Sequence, residues 1–331
     1  MMTKEKKLAS MSLDLDDQWS YMKVHGDEGW DLFPSYLDIV VPFVLDLLTE
    51  LDIKITFFIV GQDAAIEKNH SILRSIVERG HEIGNHSFHH ESWLKTYSKE
   101  KIEEEIIKAE EAIYLATGVN TRCFRGPGFS WSNDLLETLQ NRNYTFDASI
   151  LPTYISPLMR MYYFWNSKLT KEERKSRKEL FGSFKEGFYP LKPYRWKLNN
   201  NQTLLEIPVT TMPIFKLPFH LSYLIYIGNI SMPLMKMYLN LAIWLCKLTK
   251  TPISFLLHPL DLIGGDEIKE LAFFPGMNVG SKQKVIIFKS VIGILKKHFR
   301  MLPMEKFSVE IQNEKLLKTY PINNIFRYSH V

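Results

Sequence analysis

Short apolar runs alternate with longer amphipathic segments along most of this chain of 331 residues. The run at 53–60 is rich in β-branched and aromatic residues, which predicts a strand covered on both faces. Ser98 and Gly118 bracket a segment with apolar residues at helical spacing, and they predict a helix between them. Such alternation favours a mostly parallel α/β sheet or barrel.

The other predicted strands and helices also alternate along the chain. A long connection at 17–34 follows the first strand, and the carboxyl-terminal pattern predicts a last helix at about 282–299. The segment 154–203 interrupts the alternation, so we expect an insertion over the barrel mouth that carries the aromatic residues Tyr162, Tyr163, Phe164 and Trp165. The remaining expected strands are 12–16, 81–84, 122–124, 144–147, 204–209 and 253–257, and the remaining expected helices are 35–48, 61–79 and 133–142.

Composition excludes some classes of protein. The net charge is +4 and the lysines are scattered, so we expect no nucleic-acid partner. The two cysteines, Cys123 and Cys246, have neither zinc-finger nor disulfide-framework spacing. The amino terminus has no apolar run of about 7–15 residues behind its basic residues, which predicts a cytoplasmic protein without a secretory signal. Segment 214–248 is very apolar but interrupted by proline, glycine and lysine, so a helix packed on the barrel and a membrane-surface element both stay open.

Three polar stretches follow predicted strands. Residues 14–17 read Asp-Leu-Asp-Asp, 86–90 read His-Ser-Phe-His-His, and 125–128 read Arg-Gly-Pro-Gly. The four-residue spacing of the two outer histidines predicts that they share one face of a single helical turn. Each stretch alone has an ordinary explanation as a polar strand end, a solvated helix face or a turn.

Together the stretches predict a hydrolytic metal site. One carboxylate and two imidazoles with open positions for water are the ligand set of a catalytic zinc centre. We therefore expect one divalent ion, Zn²⁺, on Asp16, His86 and His90. A zincin motif is excluded because Ser87 follows His86 where that motif requires glutamate.

In this order the three stretches resemble the polysaccharide deacetylases of carbohydrate esterase family 4, the NodB-like deacetylases. The resemblance covers about 10–265 and implies a distorted, seven-stranded (β/α) barrel with the site at the carboxyl ends of its strands. Residues 266–331 would then form a carboxyl-terminal helix and tail packed on the barrel.

The resemblance also implies catalytic roles. Asp14 shares a strand face with Asp16 and would be the general base, although a register with Asp16 as base and Asp17 as ligand stays open. Arg125 resembles the family arginine that orients the base. Gly128 stands where the family has a tyrosine whose backbone N–H helps to hold the oxyanion.

The general acid is expected at His258, in a Leu-His-Pro segment that loosely matches the family pattern. Asp147 and Asp261 are both candidates for its carboxylate partner. We expect Asp147 and His89 to support the site from behind the metal ligands, and His81 to lie at a strand edge.

The implied reaction is removal of an N-acetyl group from an amino sugar. The carbohydrate substrate would be part of a polysaccharide or a lipid-linked intermediate, the latter with peripheral contact to the inner face of the membrane. Two alternatives stay open: hydrolysis of a small non-sugar C–N bond, and a catalytically inactive carbohydrate-binding barrel.

Overall fold

The computed structural model describes residues 6–170, 172, 184–199, 201–314 and 317–322. The strands are β1 Lys7–Leu15, β2 Thr56–Ile59, β3 Glu82–Asn85, β4 Cys123–Phe124, β5 Phe146–Asp147, β6 Tyr194–Lys197, β7 Thr203–Glu206, β8 Ile253–Leu257, β9 Phe299–Leu302 and β10 Thr319–Pro321. They form a mainly parallel sheet in the order β10-β6-β7-β5-β4-β3-β2-β1-β8, and β9 pairs with β1. Among the described strand pairs, only β6–β7 is antiparallel.

The sheet closes on itself through the residues that follow β7. The Val209 N–H donates to the Ile150 carbonyl at 2.9 Å, and the Thr210 N–H donates to the Ser254 carbonyl at 3.0 Å. The chain after β7 therefore lies between the end of β5 and β8. This connection completes a ring from β1 through β5, β7 and β8, and it confirms the α/β class and the distorted barrel.

Helices fill the connections between strands. Ser98 caps α5 by accepting from the Lys101 N–H, and Gly118 ends it with a φ of 76°. The helices are α1 Gln18–His25, α2 Leu37–Glu50, α3 Gly61–Ala64, α4 His70–Glu78, α5 Lys99–Thr117, α6 Asn133–Asn141, α7 Ser156–Asn166, α8 Leu221–Ile230, α9 Met232–Leu248, α10 Ser281–His298 and α11 Met304–Glu314.

Three predictions of elements were wrong. The connection 17–34 contains α1, which Asp17 begins as its N-cap and Gly26 ends at a φ of 90°. The helix expected at 61–79 is divided into α3 and α4, with a short 3₁₀ turn between them. The helix expected to be the last is α10, and α11 follows it.

The carboxyl-terminal region joins the same sheet. β9 lies parallel to β1, and β10 lies parallel to β6. The division at residue 265 stays a prediction, as does the insertion at 154–203, which contains β6. The side chains of Tyr162 and Tyr163 fall outside the described residues. Within the described ranges, no helix is both long and apolar enough to cross a membrane.

Candidate metal centre and catalytic site

Strand β1 delivers the acidic residues to the barrel mouth. It pairs with β2 on one side and with β8 on the other, and its last eight residues are buried. Such a strand ends inside the molecule, so the polar side chains beyond it need partners there. Asp14 is 4% exposed, Asp16 is 8% exposed and Asp17 is fully buried.

The segment that carries the histidines is a loop, so the prediction of a helical turn was wrong. Ser87 and His90 have left-handed backbones with φ of 60° and 53°, which a right-handed helix cannot contain. The Ser87 N–H donates to the Asn85 side chain at 2.8 Å. The N–H groups of Phe88 and His89 both donate to Glu105 on α5. These contacts replace helical hydrogen bonds and fix the loop.

This loop brings both predicted imidazoles to Asp16. Asp16 Oδ1 lies 3.0 Å from His90 Nε2 and 3.4 Å from His86 Nε2. All three residues are buried, and their ligand atoms lie within 4.8 Å of one another. Two ligands at roughly 2.1 Å from a tetrahedral zinc ion would be about 3.4 Å apart, so the donor set fits such an ion.

The hydrogen bonds behind these ligands support the same interpretation. His86 Nδ1 lies 2.6 Å from the carbonyl oxygen of Arg125. A proton on Nδ1 donates to that oxygen and leaves Nε2 with a free lone pair, which is how proteins orient metal-binding histidines. Asp16 Oδ1 has no hydrogen-bond donor among the described residues. Asp16, His86 and His90 thus form a candidate site for a divalent cation.

Asp17 is directed away from this site. Its Oδ1 accepts from the N–H of Gln18 at 2.7 Å and from the N–H of Tyr36 at 2.9 Å. Burial raises the pKa of Asp17 to about 6, although hydrogen bonds with Ser35, the backbone and Asp63 oppose the shift. These contacts favour Asp14 with Asp16 over the register with Asp17 as ligand.

Asp14 forms a fully buried ion pair with Arg125. Arg125 Nη1 donates to Asp14 Oδ1 at 2.7 Å and to Ser12 Oγ at 2.8 Å. Its Nε donates to the Ala148 carbonyl at 3.1 Å, and the guanidinium lies over the Phe58 ring at 4.5 Å. Because Arg125 is 0% exposed, the guanidinium holds Asp14 in one position.

His258 approaches Asp14 from the other side. Its Nε2 lies 4.0 Å from Asp14 Oδ2, and its Nδ1 lies 3.7 Å from Asp261 Oδ2. Burial alone would lower the pKa of His258, but the hydrogen bond and charge of Asp261, with the charges of Asp14 and Asp16, raise it to about 9. Of the two candidate partners, the structure therefore places Asp261 beside His258.

Asp147 lies instead behind the Arg125 turn. Ser149 Oγ donates to Asp147 Oδ1 at 2.6 Å and accepts from the Gly126 N–H at 2.7 Å. Burial raises the pKa of Asp147 and raises that of its neighbour Glu206 well above the ordinary range. The chain of contacts from Glu206 through Asp147 and Ser149 fixes the backbone of the turn.

Gly128 occupies a position that favours glycine. Its φ is +58°, and a Cβ there would lie 3.0 Å from Ser92 Cβ.

The two other predicted histidines lie outside the metal site. His89 pairs with Glu105, with 2.5 Å between its Nδ1 and Oε1, and its half-exposed ring supports the loop. His81 accepts from the Ile55 N–H, as a strand-edge residue would.

Sequence reasoning missed two groups beside the site. Lys23 on α1 donates to Glu91 at 2.8 Å and to the His89 carbonyl at 3.0 Å, which ties α1 to the histidine loop. The buried His220 ring lies 6.4 Å from that of His258. Burial and the charge of His258 lower the pKa of His220 to about 4, so it is neutral at pH 7. Neither residue lies in a motif that marks it in the sequence.

Comparison with known proteins relates part of this chain to one family. Residues 27–146 match the family model described as polysaccharide deacetylase. This part of the chain is therefore similar to polysaccharide deacetylases. The matched range contains the histidine loop and the Arg125 turn, and it begins after the aspartates of β1.

Curated relatives of the family match over shorter segments. The chitooligosaccharide deacetylase of Sinorhizobium fredii is 33% identical over 104 residues, which are 31% of this chain and 47% of that protein. A peptidoglycan-N-acetylglucosamine deacetylase of Bacillus cereus is 35% identical over 86 residues, which are 26% of this chain and 30% of that protein. The chain thus spans less than half the length of these relatives.

One solved structure matches the whole fold. It belongs to a Mycobacterium smegmatis protein that is provisionally assigned as a polysaccharide deacetylase, and its TM-score is 0.58 at 16% sequence identity. The alignment covers 96% of this chain and 95% of that one. At this identity the match supports the fold alone.

Proposed function

We propose that this protein is a metal-dependent hydrolase that removes the N-acetyl group from an amino sugar. The observation that carries the proposal is the position of Asp14, which lies between Arg125 at 2.7 Å and His258 at 4.0 Å. Asp14 also stands two residues from Asp16, on the strand that ends at the candidate metal site. The named substrates of the two relatives, chitooligosaccharide and peptidoglycan N-acetylglucosamine, support an N-acylated sugar.

The metal would be held by Asp16, His86 and His90, and we propose zinc because a carboxylate with two imidazoles suits it. Such a cation, when bound, would polarise the substrate carbonyl and lower the pKa of a bound water. The tautomer of His86 is set by its hydrogen bond to the Arg125 carbonyl.

The chain supplies the proton transfers. Asp14 removes a proton from the attacking water as the water oxygen bonds to the amide carbon. Arg125 keeps the carboxylate in place, since its guanidinium is fully buried and held by hydrogen bonds to Ser12 and Ala148. The Gly128 backbone N–H, on the turn that Ser149 and Asp147 fix, would stabilise the negative charge that develops on the carbonyl oxygen.

His258 completes the reaction as general acid. Its raised pKa keeps the imidazole protonated at neutral pH. It donates that proton to the amide nitrogen as the C–N bond breaks, and the products are acetate and a free amino sugar. Asp261 acts through His258 by holding the imidazolium.

For the substrate we propose an amino sugar within a glycan or a lipid-linked glycan intermediate. The cytoplasmic location stays a prediction from the sequence. The two alternative functions make different demands: a small-amide hydrolase would prefer non-sugar substrates, and an inactive barrel would bind sugars without releasing acetate.

The test combines metal analysis with acetate release from N-acetylated chito-oligomers and lipid-linked N-acetylhexosamines. We expect about one zinc per chain in the wild type and in Asp14→Asn, whose activity falls by about 10²–10⁴-fold. Asp16→Asn should lose metal and activity together. Asp38→Asn, an exposed aspartate on α2, is the matched control and should change neither. A fully active Asp14→Asn protein would contradict the assignment of the base.

A further inference from the structure

Helix α9 carries an exposed apolar stripe. Its members are 44–63% exposed. They recur at alternating intervals of three and four residues, so they share one face of the helix along about 21 Å. We call Leu234, Met237, Leu241, Trp244 and Leu248 the α9 stripe.

The other face of α9 is already buried. Met235, Leu239, Ala242, Ile243 and Cys246 are at most 2% exposed and pack in the main core. Packing on the barrel therefore explains only half of the apolar surface of this helix. Single exposed apolar residues are common, but a continuous row over four turns marks an interaction surface.

A second exposed apolar feature precedes α9 in the sequence. Residues Ile214, Phe215 and Leu217, which we call the apolar tip, are 67%, 56% and 39% exposed. The tip follows the strand-like residues that close the barrel, and the Tyr238 hydroxyl of α9 donates to the Pro218 carbonyl at 2.8 Å. The first half of α9 thus contacts the segment that follows the tip, and the His220 ring of that segment lies 6.4 Å from the His258 ring of the site.

All the charged residues of the segment that contains α9 and the tip are lysines. Residues 207–260 contain no aspartate or glutamate and four lysines: Lys216, Lys236, Lys247 and Lys250. At the far end of α9, Lys7 donates to the Lys247 carbonyl at 2.8 Å, so two more exposed lysines, Lys6 and Lys7, gather there. An apolar face bordered by lysines complements an anionic lipid surface.

We propose that the α9 stripe and the apolar tip together form a peripheral binding surface for an anionic bilayer. The helix would lie in the plane of the interface, with Trp244 at the level of the headgroups. A second copy of the chain fits this surface less well. Antiparallel pairing about Leu241 would place Lys236 of one copy near Lys247 of the other, with no acidic residue of α9 to offset the repulsion.

Vesicle co-sedimentation tests the proposal without using catalysis. The full-length protein is mixed with phosphatidylcholine vesicles that contain either no phosphatidylglycerol or about 30% of it. We expect binding to the anionic vesicles, and weaker binding when the salt rises from about 0.1 M to 0.5 M. Equal failure to bind either vesicle would overturn the proposal, whatever the deacetylase assay shows.

Matched variants locate the surface. Met237→Gln with Trp244→Gln should weaken binding by at least about tenfold. Tyr114→Gln with Leu115→Gln, which removes comparable exposed apolar area from α5, should leave binding unchanged. Far-ultraviolet circular dichroism and urea unfolding establish that both variants are folded.

Charge variants and sedimentation complete the test. Lys236→Gln with Lys250→Gln should weaken binding to anionic vesicles by about fivefold for each lysine removed. Analytical ultracentrifugation addresses the competing occupant. A wild-type dimer that the Met237→Gln, Trp244→Gln variant converts to monomers, without vesicle binding by either protein, would show that the stripe pairs two chains instead.

Discussion

Replacing Asp261 with asparagine should shift the pH dependence of catalysis through His258. Asp261 gives His258 a hydrogen bond and a negative charge, which together raise the pKa of the imidazole to about 9. Asparagine is nearly isosteric with aspartate. Its side-chain oxygen can still accept the hydrogen bond that the backbone N–H of His258 donates to Asp261 at 2.8 Å. The substitution therefore removes the charge with little change of shape.

The size of the effect follows from the two pKa values. Burial lowers the pKa of His258 when no anion opposes it, so without Asp261 the pKa should fall from about 9 toward or below the ordinary 6.5. At pH 8 the protonated fraction would drop from about nine-tenths to about 3%, a loss of about thirtyfold. A general acid works only when it is protonated. As the pH rises, the variant should therefore lose its activity at a lower pH than the wild type does.

Two measurements follow the same group. The NMR titration of the His258 ring in the metal-free protein gives its pKa directly in wild type and in Asp261→Asn. The profile of kcat/KM against pH in the zinc-loaded protein should show its alkaline limb displaced downward, with little change near pH 5.5. A bound cation offsets part of the attraction between Asp16 and the His258 imidazolium. In both proteins the alkaline limb should therefore lie at a lower pH than the pKa measured without metal. An alkaline limb that Asp261→Asn leaves in place would refute the role of His258 as general acid.

Two further substitutions test the buried charges. Arg125→Met should lower the free energy of unfolding by about 3–5 kcal/mol in urea at pH 7, because it leaves Asp14 buried without its cation, and adding Asp14→Asn should recover part of that loss. A double variant as unstable as the sum of the single ones would contradict this pairing. Glu206 has a raised pKa, so the folded protein keeps a proton that the unfolded chain releases above about pH 4.5. Between pH 5 and 8 the free energy of unfolding of the wild type should therefore fall relative to that of Glu206→Gln, by up to about 1.4 kcal/mol per pH unit. If the two proteins show the same dependence of this free energy on pH, Glu206 does not retain the proton.

Local signals predicted the scaffold well. The bounds of α5 follow from Ser98 and Gly118, whose capping contacts depend on a few neighbouring residues. β8 was expected at 253–257 and lies there. A short apolar run between turn residues is typical of a strand in a chain whose strands and helices alternate. The three residues expected to bind metal also meet, since parallel strands end at the same edge of the barrel.

Contacts between distant segments were beyond prediction. The choice between Asp147 and Asp261 depends on where the chain after β5 and the chain after β8 lie in space, and spacing in the sequence carries no such information. Helix α1 was missed because its buried residues do not follow a clear helical period, and tertiary contacts such as Lys23 with Glu91 hold it in place. The division of 61–79 into two helices likewise has no simple local signal.

The left-handed residues Ser87 and His90 have a consequence for protein engineering. Grafting this histidine pair onto a designed helix would reproduce its four-residue spacing but not its geometry, because both residues have positive φ. A working transplant would need the whole loop, including Asn85 and the two N–H groups that Glu105 receives. The portable unit is thus a strand end, a loop and one acidic residue of a neighbouring helix.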